Sequence, residues 1–220
     1  MMIVKYLLIA VISYLLGSLN FSIILLRAVA RKDIRESGSG NAGATNMLRT
    51  YGKHFAVLTM LGDILKVALA ILIAFVILGA PLEYLFKIAE NKEFAATMIN
   101  YKEFAGFFCV LGHIFPLYFK FKGGKGVAAC TGMVILVDWR IALILFVIFV
   151  LTILISKMIS LGSIVIAVLY PVLIAVFYQN LFLILIAVLF AAIVIAAHRA
   201  NIKRILNGTE NKLTNEKKHN

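Results

Sequence analysis

The sequence predicts an all-α polytopic membrane protein with about seven transmembrane helices, the N-terminus outside and the C-terminus in the cytoplasm. Of its 220 residues, 63% are hydrophobic and only 15% are charged, whereas soluble domains carry about a quarter charged residues. The excess apolar residues are therefore expected to face lipid. Since no long polar linker or internal repeat divides the chain, residues 1–220 are expected to form one membrane domain, with a polar tail from about residue 206.

Apolar segments recur along the chain, and a helix needs about 20 such residues to cross a bilayer. The clear spans are residues 3–26, 55–79, 141–156, 160–178 and 180–198. Two others, 104–119 and 126–138, are shorter or interrupted by polar residues, which is tolerated where a helix packs against protein. The stretch 80–103 mixes glutamates with lysines and is expected to be a solvated outside loop.

The distribution of basic residues predicts the orientation. Most of the 22 lysines and arginines, including Lys217 in the tail, lie in connections that are inside when the N-terminus is outside. The net charge of +12 therefore indicates anionic lipid or anionic substrates. Nucleic acid is not expected, because no basic region is interleaved with aromatic residues.

The two cysteines, Cys109 and Cys130, stand in apolar surroundings without a CxxC or His-rich neighbourhood. Such cysteines are typical of small buried hydrophobic residues. The sequence therefore predicts neither a metal site nor a disulfide.

Polar, glycine-rich sequence interrupts the hydrophobic pattern at three places, all assigned to the cytoplasmic side. The first is Ser37-Gly38-Ser39-Gly40-Asn41-Ala42-Gly43-Ala44-Thr45-Asn46, followed by Arg49. It matches GxGxxG but lacks the preceding strand that a dinucleotide fold requires. Glycine backbones can approach an anion, and an arginine can clamp phosphate with two hydrogen bonds. The predicted phosphate ligands are Ser39, Gly40, Asn41, Thr45, Asn46 and Arg49; the alternative is a flexible loop.

The second cluster runs from Gly112-His113-Ile114-Phe115-Pro116 to Phe121-Lys122-Gly123-Gly124-Lys125-Gly126. It is not a Walker A motif, because no Ser or Thr follows a Gly-Lys pair. A Gly-Gly-Lys-Gly turn before a helix nevertheless favours anion binding, with Lys125 as a point charge. His113 belongs either to this site or to the packing of the helices.

The third cluster, His198-Arg199-Ala200-Asn201-Ile202-Lys203-Arg204, stands where the last span leaves the membrane. His198 and Asn201 share one helix face. Asp63 and Lys66 form a further pair within the second span. Ionisable groups at membrane depth are rare and usually paired or functional, so a structural pair and a site pair both stay open.

These clusters resemble the three motifs of the bacterial acyl-phosphate:glycerol-3-phosphate acyltransferases, the PlsY family. The matching stretches are residues 38–46 with Arg49, Gly112-His113 through Pro116 to residues 122–127, and His198-Arg199 with Asn201, Arg204, Gly208 and Glu210; Tyr14-Leu15-Leu16-Gly17-Ser18 also matches. Three places depart from the family pattern, one of which is a longer loop around residues 82–103. Gly62 and Val67 flank Asp63 and Lys66 where the family often has Leu and Gly, and Asn20-Phe21-Ser22 is untypical.

The resemblance implies transfer of a fatty acyl group from acyl phosphate to the 1-hydroxyl of glycerol 3-phosphate, giving lysophosphatidate and inorganic phosphate. It implies a bacterial plasma-membrane enzyme in the lipid bilayer, with a cytoplasmic active site, no cofactor and no obligate protein partner. We expect Ser39, Arg49 and Lys125 to bind phosphate and stabilise charge. His198 and Asn201 would orient the hydroxyl or the donor phosphate, and Gly123, Gly124 and Gly126 would admit glycerol 3-phosphate.

The histidine pattern agrees with an acyl-phosphate donor. Acyltransferases that use thioesters carry a His followed five positions later by Asp, whereas here Thr59, Tyr118 and Lys203 follow the three histidines that precede the tail. A transporter for a phosphorylated anion is the main alternative, but its polar motifs would fall in two corresponding halves. A non-catalytic scaffold would leave the three clusters without a role.

Overall fold

The computed structural model describes residues 1–213, which form helices and connecting segments with no strand in that range. The predicted all-α fold is therefore confirmed. The chain divides into two compact units, Met1–Asp138 and the part from Trp139 onward. That they form the single predicted domain stays a prediction. Lys217 and the rest of the predicted tail from residue 214 lie outside the described residues.

The helices of the two units have the following bounds. The first unit contains α1 (Met2–Ser18), α2 (Phe21–Ala30), α3 (Ala44–Tyr51), α4 (Lys53–Leu78), α5 (Lys92–Ile114) and α6 (Val127–Val137). Short 3₁₀ turns occupy Ile34–Glu36, Leu82–Leu85 and Leu117–Phe119. The second unit contains α7 (Trp139–Ser156), α8 (Ile159–Tyr178), α9 (Leu181–Ala197) and α10 (Arg199–Leu206).

Within residues 1–213, four helical segments are long and apolar enough to cross a membrane. They are Met2–Ala30, Lys53–Leu78, Trp139–Ser156 and Ile159–Tyr178. Helices α9 and α10, bent by 62°, make a fifth if the pair counts as one span. The exact number of seven and the orientation stay predictions.

Asn20 interrupts the first predicted span, which therefore consists of α1 and α2. Its buried side-chain oxygen accepts hydrogen bonds from Ser22 Oγ at 2.7 Å and from the Ile23 amide at 3.3 Å, which caps α2. Its amide nitrogen donates to the Ala42 carbonyl at 3.3 Å. The polar residue that breaks the helix thus also anchors the first glycine-rich segment.

The prediction of a solvated loop over residues 80–103 is wrong for its second half, which belongs to α5. Asn91 caps this helix by accepting from the Phe94 amide at 3.0 Å. Lys102 and Glu103 are only 2% and 1% exposed. Asp138, directly after α6, interacts electrostatically with Lys102, so charged residues that looked solvated in the sequence are buried within the first unit.

Helices α1 and α5 cross at two glycines. A side chain on Gly17 would overlap the Cys109 carbonyl, and one on Gly112 would overlap the Tyr14 carbonyl. Tyr14 also donates its hydroxyl to the Phe115 carbonyl at 2.7 Å. The end of α5, where the second polar cluster begins, is thereby held against α1.

Two of the three departures from the family pattern meet in the structure. A side chain on Gly62 of α4 would overlap the Phe21 ring at the start of α2. The absence of a side chain at position 62 therefore makes the space that Phe21 fills.

We predict that Gly62→Leu destabilises the protein by about 1–3 kcal/mol, because overpacking forces the surrounding side chains and backbone to move. Phe21→Ala alone should also destabilise, since it leaves a cavity. The double variant should unfold at a higher temperature than either single variant, because the introduced leucine side chain fills the space that the Phe21 ring vacates. Thermal unfolding in detergent measures this, and losses that simply add would contradict the contact.

Candidate active site

Asn46 organises the first glycine-rich segment. Its side-chain oxygen accepts from the Ser39 amide at 2.9 Å, and its amide group donates to the Ile34 carbonyl at 3.2 Å and the Ser37 carbonyl at 2.9 Å. Both amide protons of this buried residue are therefore used within the segment. Asn46 positions Ser39 through these bonds.

Ser39 lies at the tip of a tight turn. The Gly40 amide closes the turn by donating to the Ser37 carbonyl at 3.1 Å. Gly38 and Gly40 have φ values of 57° and 70°, which favour glycine. Ser39 is thus exposed between two glycines. The next predicted ligands are half-buried: Asn41 lies before α3, and Thr45 and Arg49 lie within it.

Two carbonyls at the end of α5 hold the second glycine-rich segment. The Gly123 amide donates to the Ile114 carbonyl and the Gly124 amide to the His113 carbonyl, each at 3.2 Å. A side chain on Gly124 would overlap both the Ala42 carbonyl and His113 Nε2. The structure thus brings the first two predicted clusters into contact, and Gly124 is needed for that packing.

Lys125 and Gly126 connect this contact to α6. Gly126 has a φ of 81° and directly precedes Val127, the first residue of the helix. Lys125 is half-buried beside it. A lysine and backbone amides at the beginning of a helix suit an anion.

Asp63, Lys66 and His113 form a buried cluster between α4 and α5. Lys66 Nζ lies 2.8 Å from Asp63 Oδ1 and 2.9 Å from His113 Nδ1. It also donates to the carbonyls of Gly17 at 3.0 Å and Leu19 at 2.9 Å. Lys66 therefore pairs with an acid, caps the end of α1 and contacts the histidine of the second cluster.

This arrangement predicts the tautomer of His113. Lys66 Nζ has four possible partners within 3.0 Å for its three protons: Asp63 Oδ1, the carbonyls of Gly17 and Leu19, and His113 Nδ1. Because an ammonium cannot accept, we expect His113 Nδ1 to be an acceptor and the neutral ring to carry its proton on Nε2. That nitrogen is the one beside Gly124.

The third predicted cluster lies in the second unit. His198 caps α10 at the bend after α9, and its Nδ1 lies 2.8 Å from the Val194 carbonyl. A carbonyl only accepts, so Nδ1 carries a proton and donates it to Val194. Asn201 is 3% exposed, and its side-chain oxygen has no hydrogen-bond partner within residues 1–213.

Glu210 holds the third cluster together. Asn201 Nδ2 and Ser160 Oγ donate to its Oε1 at 2.7 and 2.8 Å, and Arg204 Nε donates to its Oε2 at 2.7 Å. Burial raises the pKa of Glu210, but these three hydrogen bonds outweigh burial and lower that pKa below its usual range. The bond to Glu210 fixes the orientation of the Asn201 amide, because a carboxylate only accepts.

Sequence reasoning missed Asp33 and Arg35, which lie before the first cluster. Arg35 Nε donates to Asp33 Oδ1 at 2.9 Å and a terminal nitrogen donates to Oδ2 at 2.7 Å. Hydrogen bonds from Arg35 hold the pKa of Asp33 well below its usual range, and Asp33 in turn raises the pKa of Arg35. The only signal for this pair in the sequence is the Asp-x-Arg spacing. In the sequence analysis, Arg35 counted only as one of the basic residues on the inside.

Glu210→Gln should lower stability by about 1–3 kcal/mol at neutral pH, because it weakens charge-assisted hydrogen bonds to a buried carboxylate. Since the folded-state pKa is lowered, the contribution is present above the unfolded value of about 4.3 and is lost as pH falls through the folded value. The variant should therefore lose less stability on acidification than the parent protein.

Thermal unfolding midpoints between pH 3 and 7, a range that brackets the usual Glu pKa of about 4.3, measure both effects. Glu83→Gln is the matched control, because Glu83 is 55% exposed and pairs with Lys87 only at the surface. Equal behaviour of the two variants would contradict a structural role for Glu210.

Within residues 1–213, no group of three His, Cys, Asp or Glu side chains is placed to hold a metal ion.

Comparisons with known proteins identify the family. The family model of glycerol-3-phosphate acyltransferase matches residues 7–208. The chain is 40% identical to a glycerol-3-phosphate acyltransferase of Clostridioides difficile, over 99% of this chain and 100% of the relative. It is 42% identical to one of Mycoplasmopsis agalactiae, over 92% and 91%.

A solved structure agrees with these relatives. The crystal structure of PlsY, an integral membrane glycerol 3-phosphate acyltransferase, in its glycerol 3-phosphate form is similar with a TM-score of 0.80 and 33% identity, over 94% of this chain and 95% of that one. The resemblance of the three motifs is thereby confirmed. The chain belongs to the glycerol-3-phosphate acyltransferase family and is an integral membrane acyltransferase.

Proposed function

We propose that this acyltransferase transfers a fatty acyl group from acyl phosphate to the 1-hydroxyl of glycerol 3-phosphate, giving lysophosphatidate and inorganic phosphate. The observation that carries the proposal is the contact between the two glycine-rich clusters, at Ala42, His113 and Gly124, in a chain of this family. Ser39 and Lys125 belong to the two loops that this contact joins, which precede α3 and α6 of the same unit.

The PlsY structures support the acceptor and the product. One is the glycerol 3-phosphate form and another, with a TM-score of 0.77, is the lysophosphatidic acid form. We assign the same acceptor and product to this chain. The enzyme would work in a bacterial plasma membrane with its site on the cytoplasmic side, as the basic residues favour.

Phosphate binding is assigned to the first unit. Arg49 offers a planar fork that suits two phosphate oxygens, and Lys125 offers a point charge beside the start of α6. The other proposed phosphate and glycerol ligands are Ser39, Gly40, Asn41, Thr45, Gly123, Gly124 and Gly126. Asn46, Asp63, Lys66 and His113 act by positioning these segments, since their polar atoms contact protein groups.

His198 and Asn201 are assigned to the attacking hydroxyl. Within residues 1–213 the Asn201 side-chain oxygen has no hydrogen-bond partner, and it can only accept a hydrogen bond. A hydroxyl can donate to such an acceptor, whereas a fully ionised phosphate cannot. This chemistry favours the glycerol hydroxyl over the donor phosphate as the partner of Asn201, and His198, three residues earlier, is assigned to the same hydroxyl.

The reaction then does not need a strong protein base to remove the proton of the attacking hydroxyl. The hydroxyl oxygen attacks the acyl carbonyl carbon, the bond from that carbon to the phosphate oxygen breaks, and the hydroxyl proton passes to a phosphate oxygen. Arg49 and Lys125 would stabilise the charge that develops on the carbonyl oxygen and on the leaving phosphate. The absence of the His–Asp spacing of thioester-dependent enzymes agrees with this route.

Purified protein in detergent should release phosphate from acyl phosphate only when glycerol 3-phosphate is present, and should form lysophosphatidate in equal amount. It should give no product with acyl-CoA as the only donor. Phosphate release and lipid product are measured in the same reaction. Turnover with acyl-CoA alone would refute the proposed donor.

Arg49→Lys serves as the site variant in that assay, because lysine keeps the charge but loses the fork. Its kcat/KM should fall by about tenfold or more, or roughly 1.4 kcal/mol. Arg31→Lys is the matched control, because it is the same substitution at an exposed arginine that precedes the first cluster. Equal kinetics of the two variants would remove Arg49 from the site.

A further inference from the structure

We infer that Arg35 is a positioning residue that sets the affinity for glycerol 3-phosphate by clamping the segment before Gly123, Gly124 and Lys125. The inference rests on the proposed function, in which that segment binds glycerol 3-phosphate. Arg35 belongs to the 3₁₀ turn Ile34–Glu36, which leads into the first glycine-rich cluster. Arg35 thus lies beside the first cluster, and the segment that it holds belongs to the second. It acts across the contact between these two clusters.

One nitrogen of Arg35 holds two carbonyls of the second cluster. Its NH1 group donates to the Phe119 carbonyl at 3.0 Å and to the Lys122 carbonyl at 3.1 Å. These bonds join positions more than 80 residues apart in the sequence. A planar guanidinium can make them while its other nitrogens bind a carboxylate, which a lysine cannot do.

The clamped segment contains an unfavourable backbone conformation. Lys120 and Phe121, which lie between the two clamped carbonyls, have φ values of 57° and 59°. Left-handed conformations cost non-glycine residues roughly 1–2 kcal/mol each. Arg35 bonds to the residues on both sides of this pair and so stabilises the turn at its two ends.

The position of Lys122 determines where the next residues lie. Gly123 and Gly124 follow it directly and bond back to the end of α5, at the carbonyls of Ile114 and His113. Gly124 also packs against the Ala42 carbonyl, with no space for a side chain. A shift of the turn at Lys122 is therefore transmitted to the glycines and to Lys125.

Asp33 holds Arg35 in the clamping orientation. It accepts two hydrogen bonds from the guanidinium and a third from the Arg35 amide at 3.1 Å. Arg27 also donates to Asp33, at 2.8 Å, and its guanidinium lies 5.3 Å from the centre of the Phe119 ring. The Asp33 side chain is 11% exposed and that of Arg35 23%, so the pair is largely shielded from water.

Arg35→Lys tests the clamp. In detergent, its KM for glycerol 3-phosphate should rise by about tenfold, because the glycine segment loses its position, while kcat and the KM for acyl phosphate stay within about twofold. Its unfolding midpoint should change little. Arg31→Lys is the matched control: it is the same substitution at an exposed position of the same connection, and its kinetics should equal those of the parent protein.

Asp33→Asn is the second variant and keeps the test decisive if Arg35→Lys does not fold. It should raise the same KM by a smaller factor, and combining it with Arg35→Lys should add little, because both act through one clamp. Unchanged kinetics, a loss confined to kcat, or equal increases in both KM values with a lowered unfolding midpoint would each overturn the inference. Inactivity of the parent protein with acyl phosphate would instead refute the proposed function.

Discussion

The buried ammonium of Lys66 is the interaction on which the architecture of the first unit depends. It joins the carbonyl end of α1, the carboxylate of Asp63 and the ring of His113, so three helices meet at one charge. Burying the charge of a lysine without partners inside a membrane protein costs free energy, and these partners offset that cost. Because α1 ends beside Lys66, the carbonyls at its end have no partners within the helix. These carbonyls accept the hydrogen bonds of the lysine.

Close approaches of backbone then bring the glycine-rich clusters together. Gly17 and Gly112 bring α1 and α5 into contact, and Gly124 lets the second cluster lie against the Ala42 carbonyl. These approaches leave no space for side chains, so each glycine is required by protein packing. The Phe21–Gly62 contact follows the same rule, because a large residue and a missing side chain compensate each other.

The sequence predicted the helical membrane fold and the polar clusters well, because hydrophobic length and glycine-rich interruptions are local signals. It failed at Lys102 and Glu103, which are buried, because the charge that interacts with Lys102 is on Asp138, far along the chain. Asn46 stays a predicted substrate ligand, and the sequence did not show that its amide also holds the segment around Ser39. Arg35 was missed for the same reason, since its partners lie more than 80 residues away.

The protonation state of His113 tests the Lys66 cluster most directly. The chain has four histidines, so ¹⁵N-histidine labelling with a His113→Asn variant identifies its signals. We expect a neutral His113 with the proton on Nε2 and an unprotonated, hydrogen-bonded Nδ1, because Lys66 donates to Nδ1. A proton on Nδ1, or on both nitrogens, would contradict the arrangement of Lys66, Asp63 and His113 described above.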